Sequence, residues 1–178
     1  MKGPYKKFAQ RFLPDEIRCL LIGESPPFTL PNEELKYFYN YKNTRGGQML
    51  VSSVSYSFLG QKFYVDRDGK EDFLRRLQSE GVFLLDAVYD PINQIKDDEL
   101  RRSKIKAHYQ QLKKNIRTLP LLDNAKMLLI HGNVIEAIGQ RLRIDFENGD
   151  HRVYDIGFPS YYNDENFREK IKRALNDG

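Results

Sequence analysis

The chain of 178 residues is 40% hydrophobic and 30% charged, and it carries a net charge of +4 at neutral pH. These values predict a globular protein with one domain, residues 1–178, and exclude a disordered chain; the mild positive charge permits an anionic partner without requiring one. No apolar run approaches the roughly 20 residues that cross a bilayer, so we expect a protein that does not bind membranes. The single cysteine, Cys19, allows no internal disulfide, cysteine zinc site or iron–sulfur cluster. We therefore expect a cytoplasmic protein.

The first part of the chain predicts a helix and then a buried strand. Aromatic residues recur at helical spacing before Pro14, which ends the helix. The run Ile17–Ile22 is apolar apart from one arginine, as in the central strand of a parallel sheet. Gly23–Pro31 is rich in glycine and proline and therefore predicts a loop.

The middle of the chain predicts helices on either side of a second strand. Residues 32–67 give only a weak helical pattern, because serines and β-branched residues interrupt it. A short amphipathic helix then ends at Gly81, which stands at its C′ position, and Val82–Asp86 is the second strand. The clearest helix follows and ends at Pro120. Its apolar residues step by three and four: Ile105, Tyr109, Leu112, Ile116 and Leu119.

The last third of the chain repeats the alternation. Lys126–Ile130 predicts the third strand, and Asn133 followed by Glu136 predicts an N-cap with a capping box for the next helix. Arg152–Ile156 predicts the fourth strand, and an amphipathic helix follows it. Strands that alternate with helices are typical of α/β proteins, so we predict a three-layer α/β/α sandwich with a short, mostly parallel four-stranded sheet.

Residues with useful chemistry follow each predicted strand. Glu24 comes just after the first strand, Asp86 ends the second, His131 follows the third, and Phe158–Tyr162 follows the fourth. Ligands of open parallel sheets bind beyond the carboxyl ends of the strands. We therefore expect two carboxylates, a histidine, a hydroxyl group and aromatic rings to meet at one edge of the sheet.

These four segments resemble, in the same order, the motifs of the uracil-DNA glycosylase superfamily. Gly23–Pro26 is similar to the G-x-x-P motif that carries the water-activating group, and Gly81–Asp86 to the segment G-V-L-L-L-N, whose Asn reads the base. Leu128–Gly132 is similar to the apolar run that ends in glycine. Phe158–Asn163 is similar to the final H-P-S motif and the wedge loop after it.

The resemblance implies a uracil-DNA glycosylase-like fold and a monomer that binds DNA or another nucleic acid. It also implies hydrolysis of the N-glycosidic bond of a flipped-out base, as in base excision repair, without a metal or other cofactor. The resemblance implies that Glu24 is the catalytic residue that activates water, and we add His131 as a second catalytic candidate because it also follows a strand. The base-binding candidates are Asp86, Phe38, Tyr39 and Phe158. The DNA-binding candidates are Ser25, Pro26, Ser160, Tyr161 and Tyr162.

Two substitutions depart from the superfamily's pattern. Phe158 stands where the motif has a histidine; His131 is a candidate for the missing hydrogen-bond donor, or else it only caps a helix. Asp86 stands where the motif has the base-reading Asn. Because an ionised Asp only accepts hydrogen bonds, our hypothesis is that the pocket prefers a base with two donors over uracil, unless Asp86 merely ties the strand end to a loop.

Two other functions compete with an active glycosylase. The first is a catalytically inactive nucleic-acid or nucleotide-binding protein of the same fold. The second is a small-molecule hydrolase, acting on nucleosides or esters, that uses the same strand-end cavity. The sequence has no G-x-S-x-G elbow, P-loop or dinucleotide-binding fingerprint, which disfavours the second.

The long helix that ends at Pro120 carries many basic residues. They form either a solvated face or a set of phosphate contacts, and phosphate contacts would make binding weaken steeply with salt. These residues are Arg101, Arg102, Lys104, Lys106, Lys113, Lys114 and Arg117.

Overall fold

The computed structural model describes residues 3–30, 32–43, 48–63, 69–147, 151–160 and 162–177. Tyr161, predicted to contact DNA, lies outside the described residues. The strands are β1 (Ile17–Gly23), β2 (Val82–Asp86), β3 (Leu121–Leu129) and β4 (Arg152–Asp155). The helices are α1 (Gly3–Arg11), α2 (Gln48–Leu59), α3 (Lys70–Ser79), α4 (Asp98–Arg117), α5 (Gly132–Phe146) and α6 (Asp164–Asn176). No helix within the described ranges is both long and apolar enough to span a membrane.

The strands form one parallel sheet in the order β2-β1-β3-β4. On one side α2 packs with α3 and α6, whereas α4 packs with α5. The chain crosses the sheet in opposite directions from β1 to β2 and then from β2 to β3. Since crossovers between parallel strands are right-handed as a rule, the two connections place helices on both faces. The α/β class is thus confirmed, and the arrangement is consistent with a three-layer sandwich.

The central strands are buried because both of their faces are covered by helices. All of β2 is buried, and in β1 only Arg18 is exposed. Cys19 is buried as well, and burial raises the pKa of its thiol to about 12. The cysteine therefore serves as a small core residue.

Gly81 ends α3 as the sequence predicts. Its φ angle of +71° lies in the left-handed region, and a Cβ atom there would come within 2.9 Å of the carbonyl oxygen of Glu16. A glycine at this position lets the chain turn directly from α3 into β2. The carbonyl oxygen of Gly81 accepts hydrogen bonds from the backbone of β1, which ties the two strands together at their start.

Two local predictions need correction. β3 begins at Leu121, five residues before the predicted start, because the half-exposed residues after Leu121 extend the strand without an apolar pattern. The N-cap of α5 is His131, whose ring nitrogen Nδ1 accepts a hydrogen bond from the backbone N–H of Asn133. Asn133 itself is buried inside the first turn of the helix.

The order of the strands creates a crevice between the ends of β1 and β3. The chain leaves β1 for β2 on one side, whereas it leaves β3 for β4 on the other side. The loops after β1 and β3 therefore lead to opposite faces of the sheet and diverge. Glu24 follows β1 and His131 follows β3, so these two side chains lie at the crevice.

Candidate functional site

A cavity of 340 Å³ lies at the carboxyl edge of the sheet. Its walls come from the segments after β1, β2, β3 and β4 and from the start of α4. The predicted site residues that line it are Glu24, Ser25, Pro26, Phe38, Asp86, His131 and Phe158. The convergence of strand ends expected from the sequence is thus present in the fold.

Glu24 is held in a fixed position at the end of β1. Its backbone carbonyl accepts a hydrogen bond from the N–H of Val88, 3.0 Å away, which ties the loops after β1 and β2 together. Its side chain is only 4% exposed and forms an ion pair with Arg101. The carboxylate also accepts a hydrogen bond from Asn133 Nδ2 at 2.9 Å. These partners offset the cost of burying the charge and fix its orientation.

Arg101 lies at the cavity, so of the two alternatives for the basic residues of α4 the solvated face does not apply to this residue. Its side chain is 16% exposed and also pairs with Asp98 Oδ1 at 3.2 Å. Arg101 stands four residues before Ile105, in phase with the apolar stripe of α4, and this spacing is the sequence signal for its inward position.

Asn133 is the second site residue that sequence reasoning missed. Its Nδ2 donates to Glu24 Oε1 and to Asp98 Oδ1, the latter at 3.0 Å. The amide therefore connects the end of β1 to the start of α4. The pattern of Asn133 and Glu136 predicts a capping box, but Glu136 instead pairs with Arg102 at 2.9 Å.

His131 both caps α5 and lines the cavity. Its Nδ1 accepts the backbone N–H of Asn133 at 3.3 Å, so the neutral ring carries its proton on Nε2. Burial lowers the pKa of His131, and the nearby Arg101 lowers it further, whereas Glu24, 3.7 Å from Nδ1, opposes the shift. At neutral pH the ring is therefore an uncharged donor, and it packs against Phe158 with 5.7 Å between ring centres.

Asp86 ends β2 with an unsatisfied carboxyl group. The side chain is 5% exposed, and Oδ2 is buried without a hydrogen-bond partner in the described part of the chain. Burial, together with the negative charge of Glu24, raises the pKa of Asp86 to about 7. The carboxyl group therefore titrates near neutrality, and Oδ2 does not tie the strand end to a loop.

The two aromatic candidates after β1 have different positions. Phe38 lines the cavity. Tyr39 lies in the core, between Phe12 and Phe83, with ring centres 6.1 and 5.5 Å away. Its hydroxyl accepts the backbone N–H of Leu84 at 2.6 Å and so supports the edge strand β2. Tyr39 is not among the residues that line the cavity, and the base-binding role predicted for it does not fit this position.

Loops on two sides of the cavity are held by short polar contacts. Ser25 Oγ accepts the backbone N–H of Ile92 at 3.2 Å, which fastens the loop that contains Pro26. On the opposite side Asn163 donates from Nδ2 to the carbonyl of Phe158 at 3.2 Å and accepts from the backbone N–H of Ser160. The hydroxyl of Ser25 and the backbone N–H of Ser160 therefore each stabilise the conformation of their own loop.

The loop after β4 presents aromatic side chains to the outside. Phe158 is 45% exposed and lines the cavity, and Tyr162 is 96% exposed. Other large exposed apolar residues adjoin lining residues in the chain: Phe28 and Leu30 follow Pro27, and Met49 precedes Leu50. Several large apolar side chains next to lining residues in the chain are thus exposed to solvent.

The fold and the cavity together define an α/β protein with a cavity at the carboxyl edge of a parallel sheet. Neither a comparison with models of protein families nor a comparison with curated proteins gives a match to this chain. Within the described ranges, no group of three or more His, Cys, Asp or Glu side chains is arranged to hold a metal ion.

Proposed function

We propose that the protein binds nucleic acid, holds a flipped-out base in the cavity and hydrolyses its N-glycosidic bond. One observation carries the proposal: the four segments that resemble the uracil-DNA glycosylase superfamily meet around a single cavity, with Glu24 and Asp86 in its wall. Their meeting supports a uracil-DNA glycosylase-like fold.

The cavity has the size and walls that a nucleobase requires. Its volume of 340 Å³ falls at the lower end of the roughly 300–1,000 Å³ typical of small-ligand pockets. Phe38 and Phe158 offer aromatic surfaces, and base stacking on such rings contributes about 1–3 kcal/mol per base. The polar side chains at the strand ends, Asp86 and His131, would select among the bases that fit the cavity.

Glu24 is the proposed water-activating residue. The bonds from Arg101 and Asn133 use two of the roughly four acceptor positions of a carboxylate, which leaves room for a water molecule. The water oxygen forms a bond to the sugar C1′ and gives its proton to Glu24, while the C1′–N bond breaks with its electron pair staying on the base. The negative charge of Glu24 also stabilises the positive charge that develops on the sugar.

His131 and Asp86 are the proposed contacts to the base itself. The Nε2–H of His131 can donate a hydrogen bond to the departing base anion, the role that Phe158 cannot perform. Asp86 as a carboxylate accepts two hydrogen bonds, so it favours a base edge with an amino group beside a ring N–H over the edge of uracil. The base preference of the ionised form is therefore altered relative to the superfamily.

A glycosylase assay with matched variants tests this function. Oligonucleotides, single- and double-stranded, each contain one test base, and alkaline cleavage reports abasic sites. We expect base release by the wild type, a loss of about 10²–10⁴-fold in Glu24→Gln, and unchanged release in Glu169→Gln, an exposed carboxylate on α6. Thermal melting checks that Glu24→Gln is folded at the assay temperature, since this change also removes the ion pair with Arg101.

The other outcomes separate the competing functions. Equal release by wild type and Glu24→Gln would indicate a contaminating enzyme and contradict the proposed mechanism. Binding without release from any oligonucleotide would favour the catalytically inactive nucleic-acid-binding protein. Release from free nucleosides but not from oligonucleotides would favour the small-molecule hydrolase.

Tyr162 tests the proposed nucleic-acid surface without disturbing the fold. Because the side chain is 96% exposed, we expect Tyr162→Ala to leave the melting temperature unchanged and to weaken oligonucleotide binding by roughly 1–3 kcal/mol, the worth of one stacking contact. Ile144→Ala, an exposed apolar residue in the last turns of α5, is the control and should bind like the wild type. Fluorescence anisotropy measures both. Equal affinities for all three proteins would remove Tyr162 from the interface.

A further inference from the structure

The carboxyl group of Asp86 is arranged to meet a ligand. Buried polar atoms without a hydrogen-bond partner are rare in folded proteins, yet Asp86 Oδ2 has none among the described residues. The group lines the cavity. Gly23 lies beside it, and a Cβ atom at position 23 would come within 2.9 Å of Asp86 Oδ1, so the glycine leaves this oxygen the space it occupies.

The groups around Asp86 favour the protonated form without enforcing it. Glu24 adds negative charge, and Arg101, whose side chain is 16% exposed, pairs with Glu24 and Asp98 instead. Lys36 also lines the cavity, but its Nζ pairs with Glu33 Oε2 at 3.4 Å. His131 is neutral at neutral pH and so adds no positive charge near Asp86. The other groups that sense the charge of Asp86 are phenols from α1, from the segment before α2 and from the loop after β2, and burial raises the pKa of each: Tyr5, Tyr37, Tyr39 and Tyr89.

We propose that Asp86 reads the base in both of its protonation states, so that the cavity changes across neutral pH which base edge it accepts. This inference rests on the proposed function. As a neutral acid Asp86 donates its O–H to a base carbonyl and accepts a hydrogen bond from the adjacent ring N–H, the edge that uracil presents. As a carboxylate it accepts two hydrogen bonds, the edge that the ring N–H and amino group of guanine present.

Because Asp86 Oδ2 has no partner among the described residues, it is available to a base, and the ionised and neutral forms of Asp86 favour different base edges. When Asp86 is ionised, its oxygens repel the carbonyl of uracil, and only the guanine-type edge satisfies both. When Asp86 is neutral, the single proton supplies the donor that an Asn would supply at this position. Because burial and Glu24 raise the pKa of Asp86 to about 7, the change between these two protonation states occurs near neutral pH.

Binding at two pH values tests the inference. The probes are single-stranded oligonucleotides with one uracil, one N3-methyluracil or one guanine; a 2′-fluoro sugar at the test base resists hydrolysis. At constant salt, we expect the affinity for uracil relative to N3-methyluracil to fall about tenfold from pH 6 to pH 8, as the neutral fraction of Asp86 falls. The affinity for guanine relative to N3-methyluracil should not fall over the same range, because the carboxylate accepts hydrogen bonds from both donors of guanine.

The matched variant is Asp86→Asn, whose amide donates and accepts at every pH. We expect its preference for uracil over N3-methyluracil to stay constant between pH 6 and pH 8. A pH-independent uracil preference in the wild type, or the same pH dependence in Asp86→Asn, would overturn the switch and leave the proposed function standing. Equal binding of uracil, N3-methyluracil and guanine oligonucleotides at both pH values would overturn the base-binding function and the switch together.

Discussion

Asp86→Asn is expected to stabilise the protein, and to do so more at pH 8 than at pH 5. The folded-state pKa of Asp86 is about 7, against about 3.9 for an unfolded Asp. Between these values the folded state binds more protons than the unfolded state, so the free energy of unfolding falls as the pH rises and levels off above pH 7. The neutral Asn removes this dependence.

The size of the effect follows from the raised pKa. Between the two pKa values, the free energy of unfolding falls by about 1.4 kcal/mol for each pH unit, and roughly two such units lie between pH 5 and pH 7. The gain from Asp86→Asn should therefore be about 2–3 kcal/mol larger at pH 8 than at pH 5, measured by urea denaturation at both pH values. Asp15→Asn, at an exposed carboxylate, should show no such difference. A gain that is the same at both pH values would mean that Asp86 does not titrate with a raised pKa.

A stabilising substitution at a buried site residue has a simple interpretation. Natural proteins keep groups that reduce stability where function needs them. An uncompensated carboxyl group at the end of β2, in a cavity wall, is such a group. If it served only to hold the loop after β2, its Oδ2 would have a partner among the described residues, and it has none.

The central strands and the residues that follow them can be predicted from the sequence. Ile17–Ile22 and Val82–Asp86 are continuous apolar runs, and the observed strands match them to within one residue. Because parallel strands present their carboxyl ends at one edge, the residues after each run can be grouped from their positions in the chain alone. β3 is harder to delimit, since its first residues are half-exposed and carry no pattern.

The residues that bind the carboxylate of Glu24 are harder to predict from the sequence. Asn133 satisfies a helix-cap pattern, and local patterns do not reveal that its amide points to a residue 109 positions away. Arg101 lies among many basic residues, and only its phase relative to Ile105 distinguishes it. Tyr39 and Phe38 are adjacent, and tertiary packing alone decides which ring lines the cavity. The pKa of Asp86 likewise depends on burial and on Glu24, which no pattern in the sequence records.

Arg101→Met is expected to destabilise the protein strongly. The guanidinium is largely buried and pairs with Glu24, which is itself buried, and removing one partner of a buried ion pair costs about 3–5 kcal/mol because the other charge stays uncompensated. Arg102→Met is the matched control one position along α4. The side chain of Arg102 is 29% exposed and pairs with Glu136, whose side chain is 62% exposed, and Arg102 Nη1 also donates a long hydrogen bond of 3.4 Å to Asn133 Oδ1. Such partly exposed contacts contribute about 0–1 kcal/mol. Urea denaturation of both variants measures the difference.

The double variant shows whether the pair itself carries the effect. Glu24→Gln removes the charge that Arg101→Met leaves unpaired, so the double variant should lose less stability than the two single variants together, with an interaction energy of about 1–3 kcal/mol. Additive losses, or a loss in Arg101→Met no larger than in Arg102→Met, would contradict the ion pair. The base-release assay should still find the double variant inactive, because restored stability does not restore the carboxylate of Glu24. In that case the ion pair positions and compensates Glu24, whereas the carboxylate itself acts on the water.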